Sequence, residues 1–395
     1  VPLAARQRSA DITAELAAFR QGGQATRVTV RDGLPIFENA FWTARQRQGH
    51  PLHEVSYRGC FKPQLPAFFI ERLSRPGETV LDPFMGRGTT PLQAALMGRS
   101  AVGADINPLA AMLVRPRLAP PSLEAIAERL ETINWRRRIK APAELLVFYH
   151  PGTLAELCAL RAHLLDRPDL DPVDDWIRMV AVGRLTGHSP GFFSVYSLPP
   201  NQAASAAGQA RINARLGQTP PRRSVPELIL RKSRDLLKQG GPPPGEHRLL
   251  TGSAEALDIA DGSVDLVVTS PPFLDVVQYA RDNWLRCWFV GVKAERVQIA
   301  MHRGLTDWSA FIGRTLAELG RVVRPGGHVA FEVGEVRKGT VELDRLVVAA
   351  LAGLPFEPLG VAVNRQAFTK TAQVWGVGNN RVGTNSNRIV LARRL

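Results

Sequence analysis

Five consecutive residues, Thr269-Ser270-Pro271-Pro272-Phe273, combine a hydroxyl, two fixed carbonyls and an aromatic face. Proline holds φ at about −65° and has no N–H, so a Pro-Pro pair aims its carbonyls in a set direction. The Ser270 hydroxyl and the Pro271 carbonyl together accept the two hydrogens of an exocyclic amine, and Phe273 offers a surface on which a planar ring stacks. The preceding run, Val-Asp-Leu-Val-Val (264–268), reads as a buried parallel strand. Open α/β sheets bind ligands at the carboxyl ends of such strands. Alone, a Pro pair is more simply a strand-terminating turn, so this chemistry requires a second site elsewhere in the chain.

Residues 79–90, Thr-Val-Leu-Asp-Pro-Phe-Met-Gly-Arg-Gly-Thr-Thr, supply one. A short strand ends at Leu81, Gly86 and Gly88 form a Gly-x-Gly turn, and Thr89 or Thr90 is placed to cap a helix over Pro91–Met97. The glycines let backbone approach a ligand and open the helix N-terminus toward it. Ala101–Asp105 follows as a second strand ending on a carboxylate, which suits a ribose diol. Strand, glycine turn, helix, strand, acid is the order of a mononucleotide-binding half. Position 91 is Pro, so the third glycine of Gly-x-Gly-x-x-Gly is missing and NAD is disfavoured. No Lys-Ser/Thr follows the glycines, which disfavours ATP in a P-loop. S-adenosylmethionine, with a ribose to grip and no pyrophosphate to cradle, remains.

Together, Asp82–Thr90 and Thr269–Phe273 resemble the motifs of the bacterial site-specific DNA amino-methyltransferases. The resemblance implies a Rossmann-like class I methyltransferase: an α/β fold with a doubly wound, mostly parallel seven-stranded sheet. It implies that Asp82, Phe84, Gly86, Gly88, Thr89 and Asp105 hold S-adenosylmethionine. Phe61–Leu65 is similar to a further cofactor-side motif, in which Lys62 meets the cofactor carboxylate. The catalytic set would be Ser270, Pro271, Pro272 and Phe273. Ser at the head of that motif is similar to the cytosine-N4 branch, whereas adenine-N6 enzymes more often carry Asp or Asn. The implied activity is methyl transfer to the N4 amine of a cytosine flipped out of duplex DNA, with adenine N6 or an RNA amine as alternatives. Two positions depart from the family pattern. Arg87 stands where a small residue is usual, and Ser253 stands where an acid often meets the adenine ring. Enzymes that methylate cytosine carbon-5 resemble one another in a Pro-Cys nucleophile; here Gly59, Leu157 and Arg286 precede the three cysteines.

These sites need elements to hold them. At 395 residues the chain has room for a large core with an insertion. The expected organisation is an N-terminal extension (1–56), a cofactor half (57–114), an inserted, mostly helical target-recognition region (115–245) and a catalytic half (246–395). Helices are expected at Asp11–Arg20, Thr153–Leu165, Trp176–Leu185, Leu228–Leu237, Gln278–Val290, Thr306–Val323 and Leu343–Ala352. Two final β segments, Pro358–Arg365 and Arg388–Ala392, flank a Gly/Asn-rich hairpin. The net charge of +14 favours a polyanion, here double-stranded DNA. Arg222, Arg223, Arg231 and Lys232 in the insertion are candidate phosphate contacts. So are Arg381 and Arg388, because the chain from Pro358 onward carries no Asp or Glu. The cysteines have no paired spacing, and His50 and His53 lack partner ligands, so no metal is expected. No apolar run is long enough to span a membrane and the first twenty residues lack a signal-peptide core, so a cytoplasmic location is expected. Any restriction endonuclease of the same system would be a separate chain.

Overall fold

The computed structural model describes residues 11–395 except 43–48, 58, 168, 201, 273–278, 295–296, 298–303, 337–340 and 366–385. Helix α1 (Ile12–Ala18), capped by the Asp11 carboxylate, leads through a small ribbon β1–β2 (Arg20–Gln21, Gln24–Ala25) to the hairpin β3–β4 (Arg27–Arg31, Leu34–Asn39). Then come α2 (Gln64–Leu73), β5 (Thr79–Asp82), α3 (Thr89–Leu96), β6 (Ser100–Asp105) and α4 (Pro108–Leu118). Five helices follow: α5 (Leu123–Thr132), α6 (Pro151–Leu165), α7 (Pro172–Val182), α8 (Ala206–Leu216) and α9 (Val225–Leu236). The chain returns to the sheet with β7 (His247–Thr251) and β8 (Val264–Thr269), then α10 (Tyr279–Val290), α11 (Leu305–Val322) and β9 (Val323–Val333). A second ribbon, β10–β11 (Glu335–Val336, Val341–Glu342), precedes α12 (Leu343–Ala350), β12 (Phe356–Arg365) and β13 (Ser386–Arg394).

Among the described residues the main sheet has the order β3-β4-β12-β13-β9-β8-β5-β6-β7, nine strands rather than the seven expected. The two additional strands are the β3–β4 hairpin, which lies within the expected N-terminal extension and adds to β12 in parallel through Val361↔Ile36. From β4 to β7 the neighbours are parallel except around β13, which runs antiparallel to both β12 and β9. β5 lies inside the sheet: the chain winds outward through β6 and β7, then crosses back to place β8 and β9 on the other side. That reversal between β5 and β8 makes a crevice at their carboxyl ends. The fold is therefore a doubly wound, Rossmann-like α/β sheet.

Two apolar layers cover the faces. α11 and α12 pack with Val267, Val329, Phe331 and Val390 on one side. α2, α3, α4, the α5–α9 helices and α10 share the layer on the other. Strand β8 is apolar on both faces, as a strand covered on two sides must be. The helices between β6 and β7 are tied together by buried polar bonds, such as Trp176 Nε1 donating to Ser233 Oγ at 2.9 Å. They also reach the site: α6 and α7 pack on α10, the helix after the Ser270 segment.

Candidate active site at the carboxyl ends of β5 and β8

The two halves of the site are joined directly. β5 and β8 pair through Val80↔Leu266 and Leu81↔Val267, so their last residues come level. Thr269 Oγ1 donates to Asp82 Oδ1 at 2.6 Å across 187 residues of sequence, in a buried setting. Thr90 Oγ1 donates to the Val268 carbonyl at 2.9 Å, and the Phe84 N–H to Asp82 Oδ1 at 3.0 Å. Burial pushes the Asp82 carboxyl up to about 7, against the hydrogen bonds from Thr269 and Phe84. Thr269, at the end of β8, and Thr90, in the first turn of α3, thus lock the two loops together; neither gave a sequence signal for this role.

Within the cofactor half, each glycine has a distinct task. Gly86, at φ +49°, turns its N–H onto Asp105 Oδ2 at 2.8 Å. Gly88, at φ +74°, caps α3, and a Cβ there would lie 2.3 Å from Val114 Cγ2, so it sets the close approach of α3 and α4. The helix begins at Thr89, not Pro91, and neither threonine caps it. Thr89 Oγ1 instead accepts from Arg87 Nε at 3.2 Å. Asp105 also accepts the Asn107 N–H at 2.8 Å, and burial holds its carboxyl at about 6. Ile106 beside it is 37% exposed, a large apolar side chain left open next to a half-buried acid. Tyr57 closes the other side: its hydroxyl accepts from Asn107 Nδ2 at 2.8 Å and its ring lies against Gly86. An apolar cover, a carboxylate and a glycine N–H terminus are the donor set that an adenosyl group fits.

Arg87, unusual at its position, is buried and turned away from the glycine turn. It donates to the carbonyls of Val55 at 3.0 Å and Phe61 at 3.2 Å. Arg117, fully buried, donates to the Leu52 carbonyl at 3.1 Å and to that of Arg87. The two arginines strap the segment 52–61 over the turn. Lys62 is half-buried, and desolvation, then the Arg87 charge, lowers its pKa. Phe84 packs on Phe311 at a centroid distance of 5.7 Å. Ser253 follows β7, where the Gly252 N–H donates to the Asp105 carbonyl at 3.0 Å. Its hydroxyl accepts the Glu255 N–H at 3.2 Å.

In the catalytic half, Ser270 and Pro271 continue from β8 and Pro271 is buried. Trp308 Nε1 donates to the Pro272 carbonyl at 3.0 Å, which fixes the Pro pair and leaves the Pro271 carbonyl without a described donor. Phe273 lies outside the described residues. Glu332, at the end of β9, was missed by sequence reasoning. It is buried, accepts from Asn387 Nδ2 at 2.9 Å, and lies beside Ser270; burial raises its pKa, and the Ser270 hydroxyl acts to lower it. Within an apolar strand sequence a single acid gives no sign of what it faces.

The candidate phosphate contacts fare differently. Arg388 is buried on β13 and paired with Asp344 at 2.9 Å, a correction to its expected role: a strand residue at the sheet centre cannot face DNA. Arg222 pairs with Glu156, and Lys232 with Glu54 at 2.9 Å. Arg223 donates to the carbonyls of Ser189 at 3.2 Å and Ser194 at 2.6 Å. Arg231 is exposed. Arg381 lies outside the described residues, as does the hairpin expected between β12 and β13. His53 Nε2 donates to Gln93 Oε1 at 3.0 Å, and among the described residues no three ligating side chains cluster. No helix among them is long and apolar enough to cross a membrane.

Residues 25–114 match the family model of the N6/N4 methyltransferases, described as DNA methylase. Over this stretch, less than a quarter of its length, the chain is similar to the DNA methylases. The match begins inside the segment expected as an extension and takes in the β3–β4 hairpin. The chain is similar to the type II methyltransferase M.MjaII of Methanocaldococcus jannaschii, 34% identical over 86 residues, 22% of this chain and 16% of that protein. The type II methyltransferase M.MvaI of Kocuria varians is 26% identical over 125 residues, 31% of this chain and 25% of that protein. The type II methyltransferase M.BsoBI of Geobacillus stearothermophilus is 24% identical over 275 residues, 62% of this chain and 53% of that protein. The chain thus spans about half or less of these relatives' lengths. Among solved structures, a SAM-dependent methyltransferase from Methanosarcina mazei aligns at 14% identity and TM-score 0.32, over 83% of this chain and 97% of that one.

Proposed function

We propose that this chain transfers a methyl group from S-adenosylmethionine to the exocyclic N4 amine of a cytosine extruded from duplex DNA. The observation that carries the reading is the Thr269–Asp82 bond of 2.6 Å, which holds the Ser-Pro-Pro segment beside the glycine turn. Bound at that turn, S-adenosylmethionine supplies an electrophilic methyl on a sulfonium. Asp105 receives its ribose hydroxyls, Ile106 covers a face of its adenine near Phe84 and Ser253, and Lys62 meets its carboxylate. Extruding a base costs a few kcal/mol, offset by the pocket. Phe273 stacks on that base, while the Ser270 hydroxyl and the Pro271 carbonyl accept the two amine hydrogens. Those bonds draw the nitrogen from planar toward tetrahedral geometry and aim its lone pair. Catalysis is then orientation and preorganised dipoles, with no covalent adduct to the protein.

The helical region between β6 and β7 supports a role in choosing the target, because it packs on α10 beside the catalytic segment. Exposed Arg231 there contacts phosphate. Double-stranded DNA is the macromolecular substrate, the cytoplasm is the expected location, and any matching endonuclease is a separate chain. Mass spectrometry of nucleosides from DNA incubated with the protein and S-adenosylmethionine tests the proposal. N4-methylcytosine is the expected product; N6-methyladenine would move the target base, and unmethylated DNA would overturn the reading. Ser270→Ala should slow transfer by about 100-fold, with cofactor affinity little changed.

A further inference from the structure

We propose that Glu332 is a positioning residue for this transfer: it accepts a hydrogen bond from the Ser270 hydroxyl, so that Ser270 meets the target amine only as an acceptor, and through that hydroxyl it receives the one proton the amine must lose. The inference rests on the reading of Ser270 given above. β8 and β9 pair through Thr269↔Phe331, which sets residues 270 and 332 side by side at adjacent strand ends. Glu332 is 5% exposed, and among the described residues the polar groups that face it are the Ser270 hydroxyl, just after β8, and the Asn387 amide from β13, the latter at 2.9 Å. Ile389 is its cross-strand partner on β13. Arg388, next along β13, pairs opposite Val333 and is engaged by Asp344 at 2.9 Å and Glu342 at 3.4 Å.

A serine hydroxyl by itself donates or accepts with equal ease, so it does not distinguish an amine from a carbonyl or a ring nitrogen. Once its proton is committed to a carboxylate, only lone pairs face the base. The step balances as follows. When the amine nitrogen bonds the methyl carbon, the carbon–sulfur electron pair stays on sulfur and the nitrogen carries one proton in excess. That proton passes to Ser270 Oγ as the Ser270 proton passes to a Glu332 oxygen, and Glu332 releases it to water. Burial raises the Glu332 carboxyl above the usual range, which suits it to accept a proton that an exposed carboxylate would refuse.

Glu332→Gln keeps the shape but leaves one oxygen to serve both Ser270 and Asn387, or turns an amide N–H onto Ser270. Its kcat should fall about 100-fold, with the KM for DNA and the cofactor Kd unchanged. In a Ser270→Ala background the same substitution should add nothing, because Glu332 acts through that hydroxyl. Independently of activity, the side-chain carboxyl of Glu332 can be titrated by 13C NMR, its signal identified by its loss in Glu332→Gln. Its midpoint should move up in Ser270→Ala, where a stabilising hydroxyl donor is gone. Equal losses in both backgrounds, or an unmoved midpoint, would overturn the proposal. A wild-type protein that methylates no nucleic acid would remove the functional reading, and this proposal with it, while the titration separately reports the hydrogen bond.

Discussion

Asp82 and Asp105 carry opposed demands. Asp82 is buried and Asp105 half-buried, and desolvation holds their carboxyls at about 7 and about 6 respectively. These folded values lie above the unfolded ones, so from about pH 4 to 7 the native state binds protons that the unfolded state has released. The stability they contribute is present when they are protonated and is lost as pH rises through about 6 to 7. Cofactor affinity runs the other way, because a protonated Asp105 is a poorer acceptor for ribose hydroxyls. Apoprotein unfolding midpoints, measured by calorimetry, should therefore rise as pH falls from about 7.5 to about 5.5, while the cofactor Kd also rises. Asp82→Asn should flatten the stability trend, and an unchanged trend would mean that Asp82 does not titrate there. Thr269→Val tests the lock itself: it leaves Asp82 short of a donor and should cost about 2 kcal/mol in urea denaturation. At this scale the sequence displays groups whose chemistry is local, such as the acids, the glycines and Ser270. It hides Glu332, Asn387 and Thr269, because their roles arise from strand register between distant segments.

Elements were legible where one local rule sufficed. Apolar periodicity and terminal breakers place helices at 153–165, 228–237 and 343–352, close to α6, α9 and α12. The β3–β4 hairpin escapes such rules. Its edge strand Arg27–Arg31 is mostly exposed, its second strand contains Pro35, and its place is set by pairing with β12 far along the chain. The glycine turn also looks uniform in sequence and is divided in space. Gly88→Ala drives a Cβ to 2.3 Å from Val114 Cγ2 at positive φ, so it should separate α3 from α4 and cost about 3 kcal/mol of stability. Gly86→Ala meets nothing nearer than Tyr57 Cε1 at 3.4 Å, so it should cost about 1 kcal/mol from backbone strain while weakening cofactor binding more than tenfold. Urea denaturation and cofactor titration of the two variants check this division, and the same profile in both would reject it.

Over the whole molecule, charge segregated along the chain is partly neutralised in space. The C-terminal segment is basic and acid-free in sequence, yet its described arginines meet partners from other elements. Arg365 pairs with Glu38 at 2.5 Å, Arg393 with Glu357 at 2.5 Å, and Arg394 donates to the Gly320 carbonyl at 2.7 Å. Arg388 joins Arg31, Glu342 and Asp344 in a network that ties β13 and β3 to the start of α12. A run of like charge is therefore weak evidence for a phosphate contact when acids elsewhere fold against it. The excess of +14 must be expressed by cations left facing solvent, and Arg231 is one. Neutralising a cation that displaces counterions lowers the slope of log K against log salt by about 1 for duplex DNA. Arg231→Gln should produce that change with the unfolding midpoint nearly unmoved. Arg388→Gln should do the reverse, leaving the slope intact and costing about 3 kcal/mol, since it breaks a buried ion pair and leaves Asp344 in the interior with Arg31 alone. If instead the Arg388 variant lowers the salt slope and keeps its stability, the buried network is not what holds that side chain, and the segment regains the phosphate role its sequence suggested.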